Sequence, residues 1–126
     1  MLGTVYFWNT DKADGHEWRW KYHVYLGEAD WPDEGRVFLF INKSDYGGDF
    51  RIEKKDYDFL SLDHSFIGCG SRVIYSDAEI KAAGAQHKGC ISKEHLRQLY
   101  SAVAASETME RRQIKQVCAL LKAAFD

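Results

Sequence analysis

Apolar and polar residues alternate along the first half of the chain with the period of two that a half-buried strand requires. Gly3 to Trp8, GTVYFW, is β-branched and aromatic and predicts the first strand. Tyr22 to Leu26, YHVYL, predicts a second, antiparallel to the first, with Tyr22, Val24 and Leu26 on one face and His23 and Tyr25 on the other, outer face. Arg36 to Asn42, RVFLFIN, is apolar without alternation, so a central strand buried on both faces is expected there. Phe50 to Lys54 alternates again. His64 to Tyr75, HSFIGCGSRVIY, reads as the last strand region, interrupted by Gly68 and Gly70, which mark a bulge or bend. Tyr57 to Leu62 reads as a bend that packs Tyr57, Phe59 and Leu60.

The period changes after Ser76. Ser76 with Glu79 three residues later forms a capping-box pattern, and the short helix it opens is expected to end by Gly84. Ser92 caps a second helix, with Leu96, Leu99, Tyr100 and Val103 at i, i+3, i+4 and i+7. A third, from about Glu107, carries Ile114, Val117, Cys118 and Leu121 on one stripe, with Arg111, Arg112 and Lys115 outside it. About five strands followed by helices predict a mainly β fold, a small, strongly bent antiparallel sheet or barrel closed at one end by helices.

Length and composition narrow the picture. At 126 residues one domain over residues 1–126 is expected, with 107–126 as a C-terminal helical extension. No apolar run approaches the ~20 residues of a membrane span, and the opening strand lacks the features of a secretory signal, so a soluble, cytoplasmic protein is expected. Cys69, Cys90 and Cys118 are widely spaced and outside any CxxC pattern, which reads as buried free thiols. The five histidines show no metal-ligand spacing, and neither metal nor cofactor is expected. The turn sequence GEADWPDEG at Gly27 to Gly35 supplies four carboxylates, read as solvating a loop. A formal net charge of −2 confines any nucleic-acid contact to a local patch and favours a short single-stranded segment over duplex.

That patch is predicted between the first two strands. Asn9 to Lys21, NTDKADGHEWRWK, interleaves His16, Glu17, Arg19 and Lys21 with Trp18 and Trp20. Lys21 and Arg19 either solvate a hairpin base or bind an anion; the tryptophans either pack down or stack on a base.

The order of these pieces resembles the toxin family that includes MazF, PemK and Kid, with the related gyrase poison CcdB. GTVYFWN at Gly3 to Asn9 is similar to the opening strand, and GHE at Gly15 to Glu17 to the long loop after it. KYHVYLG at Lys21 to Gly27 is similar to the second strand, and FLFINKSD at Phe38 to Asp45 to the strand entering a Ser/Thr-bearing turn. HSFIGCGSRVIYS and HKGCISKEHLRQLYSAV are similar to the later strand and the closing turn and helix. The resemblance spans about residues 3 to 105. It implies an SH3-like barrel, often a homodimer, and a metal-independent endoribonuclease acting on single-stranded RNA and neutralised by an antitoxin in the same groove. On this resemblance the cation at the phosphate is Lys21 or Arg19, with Arg72 a second; His16 or Glu17 carries the proton; Ser44 holds a phosphate oxygen; Trp18 and Trp20 contact substrate. The chain departs from the family where an arginine and proline are replaced by Lys21 and Tyr22. The alternatives are a gyrase-binding poison, a non-catalytic RNA- or partner-binding member, and a peptide-binding interaction domain.

Overall fold

The computed structural model describes residues 1–13 and 15–125; Asp14 and Asp126 lie outside the described residues. Among the described residues there are seven strands: β1 (Thr4–Thr10), β2 (Arg19–Ala29), β3 (Gly35–Asn42), β4 (Phe50–Glu53), β5 (His64–Ile67), β6 (Val73–Tyr75) and β7 (Gln86–Cys90). Three helices accompany them: α1 (Asp77–Ala83), α2 (Lys93–Ala104) and α3 (Arg111–Lys122). Every strand pairing is antiparallel, in the order β4-β5-β3-β2-β1-β7, with β6 adding to β3 beside β5. The result is a curled half-barrel sheet with two of the helices at the C-terminal end of the chain, so the mainly β expectation holds.

The alternation along the strands assigns the two faces. Val5, Val24, Leu39 and Ile41 point to one face and are buried with Leu96, Leu99 and Val103 of α2 and Val117 and Leu121 of α3. Trp8, Tyr25, Phe38 and Tyr75 point to the other, where Ile80 and Ala83 of α1 cover them. Val37, Phe38 and Leu39 are therefore buried in succession, as the unbroken apolar run in β3 requires. The bend at Tyr57 to Leu62 buries Tyr57 and Leu60 as expected.

The helix signals are accurate where they are local. Ser76 accepts from the Glu79 N–H while the Glu79 carboxylate accepts from the Ser76 N–H, and Gly84 ends α1 in the left-handed conformation at φ 65°. Ser92 caps α2 by accepting from the His95 N–H. The third helix begins four residues later than expected, at Arg111, because Ser106 accepts from the Met109 N–H and holds the intervening turn.

Four further expectations are corrected. The His64 to Tyr75 region is two strands, because the segment from Gly68 to Arg72 breaks the ladder while both flanks pair with β3. It is not the last strand region: β7 follows, an exposed edge strand paired only with β1. His23 faces away from Val24 as read, but that face is covered, and the side chain is fully buried. Cys69 is buried and Cys118 half-buried, whereas Cys90 is exposed on the β7 edge. No helix among the described residues is long and apolar enough to cross a membrane.

Candidate functional site

β1 and β2 pair so that Trp8 lies opposite Lys21 and Thr10 opposite Arg19. With a period of two along β2, Arg19, Lys21 and His23 fall on the same face of the sheet. His23 is sealed beneath aromatic rings further along, whereas Arg19 is exposed and Lys21 half-buried. They open into a cleft of about 390 Å³, which Lys12 from the loop, Asn42 at the end of β3, Tyr46 and Arg72 also line.

Lys21 is held in place. Its Nζ donates to Asn42 Oδ1 at 2.5 Å and lies 5.5 Å from the centre of the Phe40 ring. Gly68 leaves the Asn42 amide room, since a Cβ at that position would sit 3.1 Å from Asn42 Nδ2 and crowd it. A glycine that reads only as a strand interruption thus contributes to the site. Lys12 reaches Glu79 on α1 at 3.4 Å and lies 5.3 Å from the centre of the Tyr75 ring.

Beneath the cations runs a buried chain of hydrogen bonds whose direction is fixed by one carbonyl. His23 Nδ1 is 2.9 Å from the Lys21 carbonyl oxygen, which only accepts, so Nδ1 carries the proton. Nε2 then accepts from the Tyr75 hydroxyl at 2.9 Å. The Tyr75 oxygen in turn accepts from Thr10 Oγ1 at 2.7 Å, and Thr10 Oγ1 accepts from the Lys12 N–H at 3.1 Å. The backbones of Lys12 and Lys21 are thereby tied through one chain of three side chains. Burial disfavours the charged imidazole and lowers the His23 pKa to about 3, and burial likewise pushes the Tyr75 phenol up to about 12. Both are neutral at pH 7.

The remaining sequence-predicted residues are distributed unevenly. Arg72 lines the cleft, but its guanidinium donates to Gln116 Oε1 on α3 at 2.9 Å and lies 3.4 Å from Asp33. Asp33 also accepts from Arg112 at 2.7 Å and from Gln116 at 3.1 Å. The Arg112 hydrogen bond, more than any other contact, holds its carboxyl below the usual carboxylate range. So Asp33 does not merely solvate the GEADWPDEG turn; it joins that turn to α3. His16, at φ 54°, and Glu17 are exposed in the loop and do not line the cleft, and Glu17 is 3.8 Å from Arg19. Ser44 is exposed in the turn after β3, outside the lining of the cleft. Trp20 is half exposed and stacks on Phe7, with 5.2 Å between ring centroids. Trp18 is 68% exposed and lines a neighbouring hollow.

Lys12, Asn42 and Tyr46 are cleft residues that the sequence reading missed. Lys12 had a visible signal, as the first cation of the NTDKADGHEWRWK loop; Asn42 and Tyr46 had none, because their place depends on how β3 and its turn fold back over β2. Among the described residues, no group of three or more His, Cys, Asp or Glu side chains converges as a metal site requires. Compared with protein-family models, curated proteins and solved structures, the chain matches none.

Proposed function

We propose that this protein is a toxin-type endoribonuclease that binds single-stranded RNA across the Lys12, Arg19 and Lys21 cleft and cleaves it without a metal ion. The observation that carries the reading is the convergence of these three cations on one cleft, with Lys21 fixed by Asn42. A hairpin base that merely solvated its charges would have no need of either feature. On an acidic chain the cleft, which Asp49 also lines, is a local cationic patch with room for a nucleotide, and exposed Trp18 and Tyr46 beside it supply sequence-tolerant stacking.

Transesterification at the 2′-hydroxyl needs a base, a cation at the phosphorane and an acid for the 5′-oxygen. Lys21 is assigned to the phosphorane, with Arg19 beside it. On the same reading His16 or Glu17 is the proton carrier, both standing in the loop outside the cleft lining. Metal independence, the SH3-like description of the curled sheet, homodimer formation and an acidic antitoxin that occupies the same cleft come from the resemblance to the MazF, PemK and Kid family.

A second reading, a non-catalytic binder of single-stranded RNA, is favoured by one observation: His16 and Glu17 stand outside the cleft. Incubating the purified protein with a long single-stranded RNA in EDTA separates the two. Discrete cleavage that is lost in the Arg19→Ala, Lys21→Ala double variant supports the nuclease. RNA that is bound but left intact supports the binder, and RNA neither bound nor cut removes both.

A further inference from the structure

Next to the cationic cleft lies a second hollow of about 420 Å³, and Lys12 lines both. Its surfaces differ from those of the first. Its lining includes the exposed indole of Trp18, buried Tyr75, and the small side chains of Ala82 and Ala83 of α1. Two carboxylates, Asp11 and Glu79, also line it. They are not equivalent. The Glu79 carboxylate already accepts from the Ser76 N–H and pairs with Lys12, whereas the Asp11 carboxylate makes no hydrogen bond or ion pair among the described residues.

We infer that this slot binds one unstacked base of single-stranded RNA and selects guanine. The inference rests on the RNA-binding reading above and adds a base subsite to it. A planar base fits beside the indole, where stacking is open to any base. Lys12, shared by the two hollows, holds the phosphate that links the nucleotide in the slot to the nucleotide in the cleft. Discrimination falls to the lining, where an unpaired carboxylate accepts only. Guanine presents N1–H and the N2 amino group side by side, so it satisfies both oxygens of Asp11; uracil offers a single N–H, and its flanking carbonyls repel the carboxylate.

The test uses the full chain and fluorescently labelled 2′-O-methyl pentamers, which bind but cannot be cleaved through the 2′-oxygen. The pentamers are all-uridine, or uridine with one central guanosine or adenosine, and binding is read by anisotropy. The guanosine pentamer should bind about tenfold more tightly than the uridine pentamer, within the range of a good bidentate base contact. Asp11→Asn should remove that preference while leaving uridine binding in place. Trp18→Ala should weaken all three by ~5-fold to ~150-fold, and Trp18→Phe should restore most of the loss. If all three bind wild type equally, or if Trp18→Ala is silent while Lys21→Ala abolishes binding, the slot assignment is wrong and the cleft reading stands. If wild type binds no pentamer, both fall.

Discussion

The imidazole of His23 lies flat on the indole of Trp8, with ring centroids 3.6 Å apart and 13° between the planes. Phe38 and Phe40 meet it edge-on, and among the described residues no carboxylate bonds to it, since its two ring nitrogens are occupied by the Lys21 carbonyl and the Tyr75 hydroxyl. A proton on Nε2 would meet the Tyr75 hydroxyl already donating to it. An indole face attracts cations by ~2 kcal/mol, less than the cost of an uncompensated buried charge.

This placement predicts an acid-sensitive fold. The folded His23 pKa, about 3, is below the ordinary value of 6.5, so the unfolded chain binds the proton first as pH falls. The contribution of neutral His23 is complete above about pH 6.5. It declines by up to ~1.4 kcal/mol per pH unit from there towards pH 3. Urea midpoints at neutral pH and near pH 4 measure the slope. The double variant His23→Phe, Tyr75→Phe should lose most of it between those limits, and a variant as acid-sensitive as wild type would show that other groups carry the effect.

Tyr75→Phe alone should be worse at neutral pH than its small change in volume suggests. It removes the donor to His23 Nε2 and the acceptor for Thr10 Oγ1, leaving a fully buried nitrogen unsatisfied. A cost of ~1 to 3 kcal/mol in chemical denaturation is expected. Adding His23→Phe should recover part of that loss, because the orphaned nitrogen goes with it. Strictly additive losses would mean that the hydrogen-bond chain is not a unit.

Lys21 and Arg72 should behave differently although both border the cleft. Lys21→Ala should weaken single-stranded RNA binding and reduce the slope of log affinity against log salt by about one, the signature of a lost phosphate contact. Arg72→Ala should leave that slope unchanged and lower the thermal midpoint instead, because its guanidinium is committed to Gln116 and Asp33. Parallel salt titrations and melting curves of the two variants decide this. Equal slope changes would return Arg72 to the role of second phosphate cation.

What could be read in advance follows from range. The capping box at Ser76, the cap at Ser92 and the stripe on α2 are set by residues three or four apart, and all three appear. The faces of β1, β2 and β3 follow from alternation. Whether a face meets water does not, so alternation alone places His23 on an outer face; yet the unbroken RVFLFIN run implies two buried faces, and His23 pairs with Phe40 of that strand. β7 has no signal of its own, because QHKGC has no β-branched residue and stays exposed at an edge, its strand character coming from its pairing with β1. In the site, Arg19 and Lys21 were legible as cations two residues apart on a strand. Asn42, Gly68 and the pairing of Arg72 with Asp33 depend on contacts tens of residues apart in the chain, which spacing does not encode.

Gly27 offers a prediction about how α3 is seated. The β2–β3 register shifts between Tyr25 and Gly27, where the backbone takes φ 137°, and a Cβ there would stand 2.9 Å from Leu120 Cδ2 on α3. Gly27→Ala therefore meets two penalties, a conformation that L residues rarely adopt and a close contact that the Leu120 side chain must shift to relieve. Gly47→Ala shares the first, at φ 113°, but faces open space. Gly27→Ala should be the more destabilising of the two, by ~1 to 3 kcal/mol in denaturant titration. The clash is separable from the strain: Leu120→Ala introduced beside Gly27→Ala should cost less than it does in wild type, because it vacates the space the new methyl needs. If the two losses simply add, α3 does not rest on Gly27 in the way the 2.9 Å approach implies.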